Sequence, residues 1–261
     1  MNTIKVIFFI AIAIMFSQGV RGQAVSPEAR MNQAKGLLFQ GQNRADRSSF
    51  AQAKPLLETC RGDGHLAALA EYYLGYADYQ LAVVVDQMHE DQAAPDLDSA
   101  VAHLECAIAK DDHFAEAYAL LSSCFGLKIS FSPLKGMYWG PKSRSLMGKA
   151  RDLAPLNPRV ALLDAIGIYN MPSMFGGGKE KGLAGFMHAA ELFDRWNGAD
   201  SLQPDWGKEQ VHAWIGNAYL ERGESMLAKR EFEKALDINP EYGWVKYVLM
   251  PKVSGRSGEK N

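Results

Sequence analysis

Hydrophobic and polar positions alternate with a helical period in residues 209–242, where the pattern is clearest. Apolar side chains recur every three or four residues over two successive stretches, and Gly223 separates the stretches. Such spacing places the apolar side chains on one face of each helix. Proline cannot donate a helical hydrogen bond, so Asn239-Pro240 marks the end of the second stretch. The pattern predicts two antiparallel helices joined by a short turn.

The residues of this window also follow a fixed spacing. Eight of them match positions 7, 8, 11, 15, 20, 24, 27 and 32 of a 34-residue unit: Ile215, Gly216, Tyr219, Gly223, Ala228, Phe232, Ala235 and Pro240. Gly216 and Ala228 are small where the two helices must approach closely, and Tyr219 and Phe232 fill the space between them. The window resembles the tetratricopeptide repeat (TPR) family. That resemblance implies an all-α fold, a right-handed α-solenoid of stacked helical hairpins.

The triplet at positions 20, 24 and 27 recurs upstream and extends the array to about five TPR-like hairpins with loop insertions. The predicted repeats cover residues 34–67, 68–112, 115–155, 160–195 and 209–242. Residues 242–250 are apolar enough to form a C-terminal capping helix, which gives a single domain over residues 23–251. Residues 252–261 lack apolar periodicity, and we expect a flexible tail. Pro55 fits the first repeat only if its second helix begins close to that proline.

Extra residues interrupt the regular array. They lie at 83–97, 128–141 and 171–178, and a connector at 196–208 joins the fourth repeat to the fifth. Insertions in repeat proteins tend to gather on one face, which is often the binding face. Their large side chains are therefore candidate partner contacts; the alternative is that they fold back to fill gaps in the array. The candidates are Phe131, Met137, Tyr138, Trp139, Trp196 and Trp206.

The resemblance to TPR proteins also implies a concave groove lined by the first helix of each repeat. Carrying the family's groove positions onto this chain gives Leu69, Tyr72, Tyr76, Tyr79, Gln80, Glu116, Ser123, Asn217 and Glu221. Tyrosines on one helical stripe suit contact with a peptide; alternatively, they pack against a neighbouring helix or an insertion. Some relatives grip a peptide carboxylate with Lys, Asn and Arg, and only Asn217 matches. We therefore expect apolar and aromatic contacts to an extended or helical peptide.

The N-terminus has the pattern of a signal peptide over residues 1–22. Its uninterrupted apolar run, residues 6–16, is shorter than the roughly 20 residues that a membrane-spanning helix requires. We expect cleavage near Gly22 or Ala24, export to the periplasm or the medium, and no membrane span afterwards. The remaining chain has 26 basic and 30 acidic side chains, a formal charge of −4.

Composition and motifs argue against several other functions. Nucleic-acid domains usually carry a basic excess, which this chain lacks. Three cysteines cannot pair completely within one chain, and their spacing matches no zinc site. The cluster at residues 111–113 (Asp-Asp-His) predicts helix capping rather than metal binding. The GGGK sequence lacks the spacing of a phosphate-binding loop, so we expect no cofactor, no metal and no catalytic residue.

Three functions remain at this stage. The first is a non-catalytic, exported TPR scaffold that binds a protein or peptide, either alone or as a subunit of an envelope assembly. The second is a periplasmic accessory of a small-solute transporter that binds the solute or its binding protein. Residues 175–182 (FGGGKEKG) support it, because they resemble a segment of TPR-like proteins associated with TRAP-type transporters. The third is a cryptic hydrolase. The oligomeric state is left open.

Overall fold

The computed structural model describes residues 25–84, 90–198 and 200–256. The predicted signal peptide and residues 257–261 of the predicted tail lie outside these ranges. Eleven α-helices occupy the described residues, and none of them is long and apolar enough to span a bilayer. They are α1 Pro27–Arg44, α2 Arg47–Glu58, α3 Ala67–Val84, α4 Glu90–Lys110, α5 Ala115–Phe131, α6 Gly136–Leu153, α7 Pro158–Asn170, α8 Lys179–Arg195, α9 Lys208–Glu221, α10 Ser225–Ile238 and α11 Met250–Arg256.

The first ten helices pack as five consecutive hairpins. In each hairpin the two helices that follow one another in sequence form the largest interface, and neighbouring hairpins then pack side by side. The predicted all-α solenoid is confirmed. Helix α1 begins well before the predicted start of the first repeat at residue 34, and Ser26 caps it by accepting a hydrogen bond from the Ala29 N–H at 3.2 Å.

Small residues allow the close helix pairs that the spacing predicts. A Cβ atom added at Gly75 in α3 would lie 2.7 Å from Cγ of Leu104 in α4. Gly216 in α9 faces Phe232 in α10 in the same way, with the Ala228 carbonyl oxygen 3.1 Å from an added Cβ. A larger side chain at either position would force the two helices apart.

Part of the extra length in the repeats is helical. Helix α4 already begins at Glu90, and the 128–141 stretch contains the end of α5, a short 3₁₀ turn and the start of α6. The expectation for Pro55 is wrong, because α2 begins at Arg47 and Pro55 lies inside it. Pro95 and Pro141 likewise lie within α4 and α6. Each proline leaves one carbonyl of the preceding turn without its helical donor.

The C-terminal segment covers the last hairpin, as predicted. A π-helical segment, Trp244–Leu249, continues directly into α11. Val245, Leu249 and Val253 are buried in one cluster with Phe232 of α10. Helix α11 continues to Arg256 and Val253 is buried, so residues 252–256 belong to this segment and not to a flexible tail.

The two ends of the array meet. The side-chain amide of Asn239, after α10, donates to Oδ1 of Asn43 in α1 at 2.8 Å, and both residues are buried. Gly243 lies directly against the Asn43 carbonyl oxygen, where a Cβ atom would not fit. Gln42 donates to Glu209 at the start of α9 at 3.0 Å. The first hairpin therefore contacts the last.

Candidate functional site

The tyrosine face of α3, predicted to line an open groove, is covered by the connector. Trp206 is buried and stacks on Tyr76, with ring centroids 5.2 Å apart and an interplanar angle of 27°. Its indole N–H donates to the Tyr72 hydroxyl at 3.1 Å. The Tyr73 hydroxyl donates to the Leu202 carbonyl at 2.8 Å. These tyrosines are core residues, as the alternative interpretation of the sequence holds.

A second tryptophan holds the other end of the connector. Trp196 lies over the Arg159 guanidinium, 4.9 Å from the ring centroid. Arg159 is almost fully buried and forms an ion pair with Glu116 at 3.1 Å, and Asn157 also donates to that carboxylate. Glu116, another predicted groove residue, therefore holds a buried arginine under the connector. A buried charge of this kind requires its partner.

Lys35 of α1 fixes the middle of the connector. Its ammonium group donates to the carbonyl oxygens of Ser201 and Gln203 and forms an ion pair with Asp205 at 3.1 Å. The connector is thus held by α1, α3 and α7 together, although its described residues before Lys208 form neither helix nor strand.

The remaining predicted groove residues do not come together into one site. Asn217 donates to Glu221 on its own helix, and Glu221 forms an ion pair with Lys179 at the start of α8 at 3.1 Å. The Ser123 hydroxyl donates to a carbonyl of its own helix. Leu69 is buried, and Tyr79 and Gln80 are half-buried.

A cavity of about 420 Å³ lies between α1, α3, the connector and the start of α9. Sequence reasoning missed this cavity, because its walls come from segments far apart in the chain and α1 extends beyond the predicted first repeat. The side chains that define its chemistry are Phe39, Gln42, Tyr73, Tyr76, Trp206 and Glu209.

Glu209 is the buried carboxylate of this cavity. It is 5% exposed and accepts a hydrogen bond from Gln42 at 3.0 Å. Within the described residues it forms no ion pair with a basic side chain. Burial raises the pKa of this carboxyl above its usual value, and the negative charge of Asp205 acts in the same direction. Gln42 is held in turn by the Tyr76 hydroxyl, which donates to it at 2.8 Å.

A group of exposed apolar side chains lies at a different place, near the turns inside two of the hairpins. The first helices of successive hairpins run in the same direction, so these turns lie along one edge of the array. Leu134, in the turn between α5 and α6, and Met137, in the first turn of α6, are more than nine-tenths exposed, and the adjacent Tyr138 is 79% exposed. Between α7 and α8, Met174 and Phe175 are also exposed. We call these five residues the turn edge.

The predicted insertion residues therefore divide into packing and exposed groups. Trp206 is buried, and Phe131 and Trp139 are half-buried against the core. Lys128 and Lys135 lie over the Trp139 ring, 5.7 and 5.3 Å from its centroid. Met137 and Tyr138 point into solvent, and Trp196 is 43% exposed. Only part of this set is available to a partner.

The Asp111–His113 turn does not cap a helix with a side chain. Asp111 accepts from the backbone N–H of His113 at 3.0 Å, which stabilises the turn between α4 and α5. Phe114 occupies the N-cap position of α5 and makes no side-chain capping bond. The predicted capping role is wrong, because the acidic residues lie too far ahead of the helix start.

All three cysteines are free thiols, and Cys60 and Cys124 are buried.

The chain is similar to known proteins in structure but not in sequence. Neither a family model nor a curated protein sequence matches the chain. The HusA haemophore from Porphyromonas gingivalis is similar, with a TM-score of 0.61 and 20% identity over 77% of this chain and 96% of its own. A thermophilic TPR protein from Thermus thermophilus is similar with a TM-score of 0.58 and 15% identity, over 85% of this chain and 99% of its own. Both likenesses extend over most of each molecule and support a TPR-like helical fold.

Proposed function

We propose that this chain is a non-catalytic, exported helical repeat protein that binds a protein partner through the turn edge. The observation that carries the proposal is the exposure of Leu134, Met137 and Tyr138, which lie side by side at one turn. Soluble proteins seldom expose several large apolar side chains together unless the patch is an interaction site. Export is supported by the signal-peptide pattern of residues 1–22.

Binding at the turn edge replaces the groove binding that TPR proteins suggest. The α3 tyrosines are already satisfied by Trp206 and Leu202, so a peptide could reach them only by displacing the connector. The turn edge needs no such displacement. Charge favours the same surface, because Lys135 lies in this turn and residues 117–151 contain no acidic side chain. The nearby Lys128 and Lys142 are already paired with Asp98 and Glu105. We therefore expect the partner surface to be apolar with acidic side chains around it.

A site-specific crosslinking experiment tests this proposal. A photoreactive phenylalanine derivative replaces Tyr138 on the turn edge, and in a matched protein it replaces Tyr247, a 68% exposed tyrosine on the C-terminal segment. We expect a discrete adduct with one envelope or secreted protein from position 138 and none from position 247. Leu134→Ser added to the first protein should abolish that adduct, since the patch loses an apolar contact.

Two results would contradict this function. One is the same adducts from both positions, which would indicate random collision. The other is an adduct from position 138 that persists unchanged after Leu134→Ser and Met137→Ser together. Both changes lie at exposed positions, where substitutions usually alter stability by less than about 0.5 kcal/mol, so loss of folding does not complicate the result.

A second candidate function is the binding of a small solute in the cavity, as an accessory to solute uptake. The cavity itself favours it, and the similar HusA protein is a haemophore. Haem is not carried over to this chain, because the cavity lining contains no His, Cys or Met and the Tyr73 and Tyr76 hydroxyls are already hydrogen-bonded. Saturable thermal stabilisation by a small molecule would support this function; a blank result across charged and neutral solutes would contradict it.

A further inference from the structure

We propose that the cavity between α1 and the connector binds a small organic cation, an amine or a methylated ammonium compound. Its charge pairs with Glu209, and its carbon atoms contact the rings of Trp206 and Phe39. This inference rests on the second candidate function, solute binding, and is independent of the turn edge.

The aromatic lining supplies the first part of the argument. Trp206 and Tyr76 are stacked and form one rigid wall. Phe39 of α1 also lines the cavity and is 48% exposed, so a large part of its ring is accessible to a ligand. Tyr73 completes the lining on the α3 side. Aromatic faces attract cations through the ring quadrupole, and methylated ammonium groups are typically bound by cages of such rings.

The charge of Glu209 supplies the second part. A carboxylate that is 5% exposed needs a positive partner or several donors, yet its donors are neutral groups, the Gln42 amide and its own backbone N–H at the start of α9. Lys35 is the cation on the cavity lining, and it is already neutralised by Asp205 and satisfied by two connector carbonyls. Lys35 and Gln42 are two helical turns apart, about 10 Å along α1. The Glu209 end of the cavity therefore carries an unmatched negative charge.

Cavity size limits the ligand. A volume of about 420 Å³ is near the lower end of the range for small-molecule sites, about 300–1,000 Å³. A compact cation fits this space, whereas a peptide side chain attached to a backbone would have to pass the connector. Size, aromatic lining and charge thus favour the same class of ligand.

Calorimetric titration of the full chain after signal-peptide removal tests the inference. The probes are choline and 3,3-dimethylbutan-1-ol, which has nearly the same shape without the charge. We expect saturable binding of choline and binding of the neutral compound weaker by about tenfold or more, because only the cation uses Glu209 and the ring quadrupoles. Glu209→Gln should weaken choline binding by a similar factor, while Glu233→Gln, at an exposed position on α10, should leave it unchanged.

The outcomes distinguish recognition of a cation from solute binding in general. Equal affinity for choline and its neutral analogue would overturn cation recognition while supporting solute binding in general. No saturable heat from choline, methylamine or the neutral analogue at millimolar concentration would overturn both. The comparison of the two probes uses the unmodified protein, so it decides the inference even if Glu209→Gln does not fold.

Discussion

The Trp206 ring is stacked on Tyr76, with ring centroids 5.2 Å apart, although the two residues belong to segments separated by most of the array. The same indole donates its N–H to Tyr72. One residue of the connector thereby covers the tyrosine face of α3. Trp206 of the connector is part of the core, so removing this contact should lower the free energy of unfolding as much as removing a contact between two helices.

Replacing Trp206 by alanine should lower the free energy of unfolding by about 3–5 kcal/mol, the usual range for removing a buried tryptophan. Denaturant titration followed by circular dichroism measures this loss. Trp196→Ala is the matched control, because Trp196 is 43% exposed and should cost less than half as much. Equal, small losses for both variants would show that the connector does not contribute to the core.

The buried pair Asn43 and Asn239 should be sensitive to the loss of either partner. Asn43→Ala leaves the Asn239 amide without its acceptor in a buried place and should destabilise the chain by about 1–3 kcal/mol. A double-mutant cycle with Asn239→Ala should show a coupling energy above about 0.5 kcal/mol. Asn217→Ala, at a half-buried position on α9, is the control. Additive effects of the two changes would mean that the ends of the array are not coupled.

Acid should weaken the packing of α3, α4 and the turn between α2 and α3 around Glu71. Burial opposes the charge of Glu71, but hydrogen bonds from His103 and Arg61 outweigh it, so the folded-state pKa lies below the ordinary value of 4.5. A lowered pKa means that the unfolded chain binds this proton more tightly. The resulting stability is fully present above about pH 5 and is lost as the pH falls through the folded-state pKa.

Unfolding free energies measured between pH 3 and pH 7 test this dependence. Glu71→Gln should flatten the acid branch of the curve, whereas Glu105→Gln, at an exposed ion pair with Lys142, should leave it almost unchanged. An acid branch of the same steepness in the Glu71→Gln protein would assign the pH dependence to other carboxyl groups.

Two helical glycines should respond to alanine in opposite directions. Gly75→Ala places a Cβ atom against Leu104 and should destabilise the protein by about 1–3 kcal/mol through overpacking. Gly148 in α6 has open space around it, so Gly148→Ala should stabilise by up to about 1 kcal/mol through helix propensity. Thermal melts of the two variants give the signs directly. The same sign for both would contradict the close approach of α3 and α4.

The sequence predicts the hairpins well because their signals are local. The contact of Gly216 with Phe232 and the helix end before Pro240 both lie within one 34-residue unit. Spacing over so short a range does not depend on how the hairpins stack. The starts of α3, α5, α7 and α9 lie within two residues of the predicted repeat starts. The first repeat is the exception, since Pro55 lies inside α2 rather than near its start.

The candidate site could not be derived in the same way. Repeat positions identify Tyr72 and Tyr76 as groove residues, but no spacing rule states where a connector between repeats lies. The contact between Glu209 and Gln42 depends on how far the array curves, which is a sum of small rotations at every hairpin. Exposure of Met137 and Tyr138 depends on the extension of α5 and α6 beyond the usual repeat length. The sequence does contain one sign of this contact. Trp206 is a large apolar side chain two residues before the start of α9.

The contact between Asn43 and Asn239 changes how the molecule is expected to unfold. An open repeat array gains most of its stability from nearest neighbours, so its terminal repeats can fray while the middle stays folded. Here the first and last hairpins stabilise each other across 196 residues of chain. Such long-range contacts slow folding, because a large loop must close before they form. They also remove the free ends from which stepwise unfolding starts, so this solenoid should melt in one cooperative transition, as a globular domain does.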